Sequence, residues 1–135
     1  MANIGTHSVP RSNDRPLRFE GELVAERDGK TVGLKQWHHV RLYHTQGGKW
    51  VVAVSYRSTW PRDMPDDMAM VCDDPVQVAT VLNEYDPTQF AVGPPEGALN
   101  AAKRRQEHWD SVTARYDSLV AELLSERLEF AEIVE

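Results

Sequence analysis

The chain has 135 residues, of which 41% are hydrophobic and 27% charged, an ordinary balance for one globular domain that excludes wholesale disorder. The longest apolar runs are only a few residues, too short to predict a membrane-spanning helix. The net charge of −6 divides unevenly, because residues 1–62 carry +5 and residues 63–135 carry −11. We therefore expect one basic and one acidic surface.

The first fourteen residues are polar and lack the basic start and apolar centre of a secretory signal. They predict a flexible N-terminal tail over residues 1–14. The single cysteine, Cys72, allows no internal disulfide, which is typical of a reducing compartment. Together these features predict a cytoplasmic protein.

An antiparallel sheet is predicted over residues 15–86. Apolar and polar residues alternate from Leu17 to Ala25, and Asp28-Gly29 is typical of a tight hairpin turn. Residues 36–45 and 49–60 are rich in β-branched and aromatic side chains, with Gly47-Gly48 between them, and a short strand is expected at 68–72. The pattern indicates an α+β fold built on a three- to four-stranded meander.

Two helices are predicted after the strands. Asp74 followed by Pro75 is typical of a helix start, and the apolar spacing indicates a short packing helix over 75–85. A Pro-rich linker over 87–96 leads to a long amphipathic helix over 97–135.

The long helix predicts a partner. At 1.5 Å per residue it would span roughly 50 Å, about twice the width of the remaining domain, so a second copy or another protein is expected to cover its apolar seam. The seam residues expected to bind that partner, most simply in a homodimer, are Trp109, Val112, Tyr116, Leu119 and Leu123.

The central hairpin offers an alternative, nucleic-acid-binding site. If its turn is Gly47-Gly48, the odd residues of 37–43 share a face with the even residues of 50–56. Burial of these aromatic side chains is the simpler interpretation, particularly if a bulge at Gly33 exchanges the faces. Exposed, they would form an aromatic and basic surface for single-stranded nucleic acid. The residues of this alternative site are Arg41, Tyr43, Lys49, Trp50, Tyr56 and Arg57.

No catalytic, cofactor or metal site is predicted. His38 and His44 share a face but lie about 20 Å apart along a strand, too far to bind one metal ion. The two aspartates after Cys72 disfavour a thiolate nucleophile. The function predicted is a non-enzymatic interaction module, an adaptor, inhibitor or regulator, acting through the sheet edge, the loop over 60–67 or the long helix. Nucleic-acid binding is the alternative.

Overall fold

The structure is a computed structural model that describes residues 4–60, 63–91 and 101–126. Five antiparallel strands form one sheet in chain order: β1 (Gly5–Val9), β2 (Leu17–Asp28), β3 (Gln36–Thr45), β4 (Trp50–Ser58) and β5 (Asp66–Cys72). Two helices follow, α1 (Pro75–Glu84) and α2 (Ala101–Ser125). The α+β class and the antiparallel meander are as predicted, but the predicted count of three or four strands is wrong.

The additional strand, β1, lies within the segment predicted as a flexible tail. Its five residues pair with β2, from Gly5 opposite Gly21 to Val9 opposite Leu17. The isolated sequence GTHSV has little apolar content, so its strand character comes from long-range pairing. The tail prediction therefore fails for these residues.

The loop between β3 and β4, counted between the hydrogen-bonded residues Thr45 and Lys49, has three residues instead of two. Thr45 accepts from Gly48 and donates to Lys49, and Gly48 has a positive φ of 86°. A three-residue loop that ends in a left-handed glycine shifts the pairing by one position. Leu42 consequently lies opposite Val52 and Tyr43 opposite Val51, so the predicted division of the hairpin into two faces is wrong.

The β2–β3 connection also differs from the prediction. No tight turn forms at Asp28-Gly29; a seven-residue loop separates the strands. The bulge lies in β2, between Leu23 and Ala25, instead of at Gly33. Gly33 has a positive φ of 85° and belongs to the loop.

The sheet is curled, and its ends meet. The Ser12 N–H donates to the Asp67 carbonyl over 2.7 Å, and the Asp67 N–H donates to the Ser12 hydroxyl over 2.9 Å, which ties the β1–β2 loop to the last strand. Val9 of β1 and Ala69 of β5 therefore share one small core inside the curl. The inner face is concave, and the opposite face is convex.

Both helices cover the convex face, where the larger core lies. Asp74 caps α1 by accepting from the Gln77 N–H at 2.8 Å, and Pro75 is the first helical residue, as predicted. The long helix is described only over Ala101–Ser125, shorter than the predicted 97–135. The remainder of that prediction, and half of the predicted linker, fall outside the described residues. In the described part of the chain, neither helix is long and apolar enough to cross a membrane.

Candidate functional site

The predicted seam of α2 faces its own domain. Val112, Tyr116 and Leu123 are at most 2% exposed and belong to α2's interface with the sheet and α1. Leu119 packs against the same core, and the Trp109 indole donates to the Ala91 carbonyl at 2.8 Å. Over the described residues, the expectation that the domain is too small to cover this helix is wrong. Homodimerisation through the seam stays a prediction, and these side chains already pack against their own domain.

The six residues of the alternative nucleic-acid site do not form one surface. Trp50 and Tyr56 lie beneath the helices on the convex side, whereas Tyr43 is buried inside the curl. Arg57 pairs with Asp67, and Lys49 pairs with Asp73. Arg41 lies on the concave face and donates to the Tyr43 hydroxyl at 3.3 Å. The sheet therefore separates the Tyr43 ring from those of Trp50 and Tyr56.

A polar aromatic cluster lies beneath the helices at one end of the sheet. The His38 ring centroid is 5.1 Å from that of Tyr56, 5.9 Å from Tyr85 and 5.2 Å from Tyr116. Tyr56 donates to the buried Asp63 carboxylate at 2.6 Å, and the Tyr116 hydroxyl donates to a backbone carbonyl of α1 at 2.7 Å. The sequence alone does not indicate that these side chains lie close together, because they are far apart along the chain.

The histidine and tyrosine rings of the cluster are uncharged at neutral pH. Burial, assisted by the positive charge of Arg115, lowers the pKa of His38 to about 4, so the imidazole is neutral. The Pro87 carbonyl accepts a hydrogen bond from this ring, and Nε2 is buried without a partner, so the donor is Nδ1. Burial raises the pKa of all three tyrosines. The adjoining cavity of about 20 Å³ has room for one water molecule, which is too little for a substrate.

The other residues considered for chemistry are dispersed. His44 stacks on Trp50, and His39 hydrogen-bonds Glu26 at 2.7 Å. Cys72 is buried, and burial together with the two following aspartates raises its pKa, as the sequence predicts. Within the described ranges, no three His, Cys, Asp or Glu side chains are grouped to hold a metal ion.

The outer edge of β5 is the most distinctive exposed feature. Asp67 directs both its N–H and its carbonyl to Ser12, away from β4. Because these groups alternate sides along a strand, Ala69 and Val71 also direct theirs away from β4. Among the described strands, only β4 pairs with β5. Ala69 is buried against Val9 in the small core, whereas Val71 is 53% exposed, so the outward-pointing backbone of Val71 is the part of this edge that a further strand can reach.

A recess adjoins this edge on each face of the sheet. On the convex side, Met70 is 48% exposed and borders a groove of about 250 Å³ between β5 and α1. On the concave side, Val71 is 53% exposed and borders a cavity of about 400 Å³, whose apolar lining includes Leu17 and Phe19. A strand added to β5 would send successive side chains alternately into the two recesses. We call Ala69–Val71 with these two recesses the open edge.

Comparison of the chain with protein-family models, curated proteins and solved structures finds no match.

Proposed function

We propose that this chain is a non-enzymatic protein-binding module that takes up an extended segment of a partner protein as a sixth strand on the open edge. Strand addition of this kind uses main-chain hydrogen bonds for affinity and alternate side-chain pockets for specificity. The observation that carries the proposal is the combination of an exposed outward-pointing backbone at Val71, which no described strand pairs with, and a recess on each side of it.

The composition of the edge supports this function. Soluble proteins usually protect an edge strand with lysine, proline, a bulge or an inward-pointing charge. Residues 68–72 have the sequence MAMVC, with no charge and no proline, and they pair with β4 without a register shift. A bound partner strand would cover an apolar edge that is otherwise prone to aggregation.

The proposal predicts that proline at position 71 weakens peptide binding without unfolding the protein. The Val71 N–H points outward, so Val71→Pro removes the donor offered to a partner and leaves the β4 ladder intact. Heptapeptides selected from a random display library against the full chain would be synthesised with a fluorescent label, and their anisotropy measured. We expect at least about a fivefold loss of affinity in Val71→Pro, from the lost hydrogen bond and side-chain contact.

The matched control is Val76→Thr. Val76 is a 75% exposed valine on α1 and lines neither recess, so this change should leave binding as it is. Circular dichroism and a melting curve establish that Val71→Pro is folded, and Val71→Lys provides a second block that keeps the N–H. Selected peptides that bind wild type and both edge variants equally would refute the proposal, as would a library that yields no binder.

Nucleic-acid binding is the alternative function. The same anisotropy measurement, made with a labelled single-stranded oligonucleotide, tests it. It would rest on Arg41 and Arg57 of the concave face, since Trp50 and Tyr56 are buried beneath the helices. Salt-sensitive oligonucleotide binding that is lost in Arg41→Ala and unchanged in Val71→Pro would favour this alternative.

A further inference from the structure

We infer that the segment bound at the open edge is basic, with lysine or arginine at the positions that enter the groove between β5 and α1. This inference rests on the proposed function and names the chemistry of its partner. It excludes a second copy of this chain as the occupant of the edge.

The groove suits a long cationic side chain. Met68, Met70 and Val81 provide an apolar floor, Tyr85 borders it, and the exposed carboxylate of Glu84 lies on its lining. A lysine or arginine lays its methylene stem on apolar surface while its charged end reaches a carboxylate. Methionine side chains are flexible enough to adapt to such a stem.

The charge around the groove is strongly negative. Residues 63–86 contain seven aspartate and glutamate residues and no lysine or arginine. Two of the seven already have cationic partners elsewhere, because Asp67 pairs with Arg57 and Asp73 with Lys49. Asp63 is buried, and the other four, Asp66, Asp74, Glu84 and Asp86, are at least partly exposed and leave this side of the protein acidic.

The negative potential acts on the groove itself. Burial is the main cause that raises the pKa of the groove residue Tyr85, and the charge of Asp66 raises it further; the Gln89 side chain opposes them, and Asp86 and Asp67 add smaller increases. Burial disfavours a charge of either sign, but the contribution of these carboxylates marks a site where positive charge is favoured over negative charge. An incoming ammonium or guanidinium group is stabilised by the same field.

A second copy is a poor occupant for the same reason. A symmetric antiparallel pairing of two β5 strands would bring the acidic residues at the two ends of each strand, Asp66 and Asp67 at one end and Asp73 and Asp74 just beyond the other, close to those of the second copy. Like charges directly opposite each other destabilise an antiparallel pair. The edge therefore favours a partner that supplies the positive charge this region lacks.

The test compares three labelled hexapeptides of alternating sequence, in which valine alternates with lysine, norleucine or glutamate. Their affinities for the full chain are measured by fluorescence anisotropy at low and high salt. We expect the lysine peptide to bind at least about tenfold more tightly than the glutamate peptide, because several charges contribute, and to weaken as salt rises. Glu84→Gln should weaken the lysine peptide about two- to fivefold, whereas Glu107→Gln, an exposed carboxylate on α2 outside the groove, should not.

The outcomes separate the inference from the proposed function. Lysine and norleucine peptides that bind equally, both sensitive to Val71→Pro, would leave the edge as the binding site and overturn its basic specificity. A lysine peptide that binds Val71→Pro as tightly as wild type would place basic peptides elsewhere and overturn the inference alone. If none of the three peptides binds, the inference falls, while the display selection still decides the function. A preference for lysine that is reduced in Glu84→Gln and unchanged in Glu107→Gln would support it.

Discussion

His38 shows how a single buried imidazole couples stability to pH. Its pKa is about 4 in the folded chain, against 6.5 for an ordinary histidine, because burial and the positive charge of Arg115 disfavour protonation. Between these two pH values the unfolded chain binds the proton and the folded chain does not. The contribution of His38 to the free energy of unfolding is therefore complete above pH 6.5 and is lost as the pH falls toward 4.

We predict that His38→Phe flattens this pH dependence. In the wild type, the free energy of unfolding should fall by up to about 3 kcal/mol from this residue as the pH drops from 6.5 to 4, and urea titrations at several pH values measure it. His108 adds a slope of the same sign because burial also lowers its pKa, so part of the dependence should persist. His39→Gln is the control, since His39 is a more exposed histidine that bonds Glu26. An unchanged slope in His38→Phe would show that His38 does not cause it.

At the level of the strands, Gly21 permits the close approach of β2 to β3. A Cβ at this position would collide with the backbone carbonyl of His44 and lie 2.9 Å from the Cα of Thr45. Both contacts are with backbone, so a side chain could be admitted only by moving one strand away from the other. Glycine at this position therefore sets the spacing of the sheet near its bulge.

Gly21→Ala should accordingly destabilise the fold by about 1–3 kcal/mol, the usual cost of forcing an additional methyl group into a packed region. Gly5→Ala is a close control, because Gly5 is the β1 partner of Gly21 and a Cβ there would meet nothing within 4 Å. Chemical denaturation of the two variants provides the comparison. Equal losses of stability in both would argue against the steric explanation.

Local patterns predicted some elements well and others poorly. The bounds of β3 and the cap of α1 follow from β-branched content and from Asp74-Pro75, which act within a few residues. The register of the β3–β4 hairpin could not be predicted from such local patterns. Gly47-Gly48 permits either a two- or a three-residue loop, and the conformation at Gly48 decides between them. One such choice moves Trp50 and Tyr56 from the face of Tyr43 to the face of the helices.

The open edge of the whole molecule was only partly predictable. The strand over 68–72 and the acidic surroundings are visible in the sequence, and the sheet edge was one of the contact surfaces considered. That β5 is the outermost strand depends on strand order, and the grooves depend on where α1 packs. In the same way, the periodicity of α2 shows that one face is apolar but not that its own sheet covers that face.

We predict that the seam of α2 stabilises the single chain. Leu123 is fully buried in the domain core, so Leu123→Ala should cost about 2–5 kcal/mol. If the seam serves only the core of its own chain, no subunit dissociation accompanies unfolding, and the melting temperature of this variant and of wild type should be independent of protein concentration. Asp117→Ala, an exposed position on the same helix, is the control. A melting temperature that rises over a hundredfold range of concentration would instead support association through the seam.

The pair of hydrogen bonds between Ser12 and Asp67 has a consequence for the order of folding. The two residues are 55 positions apart, so during synthesis the β1–β2 loop must wait for more than fifty further residues before it meets its neighbour. Contacts of such separation close slowly because a large loop must first be ordered. β1, which is synthesised before the other four strands of this sheet, is thus expected to be among the last to be locked in place.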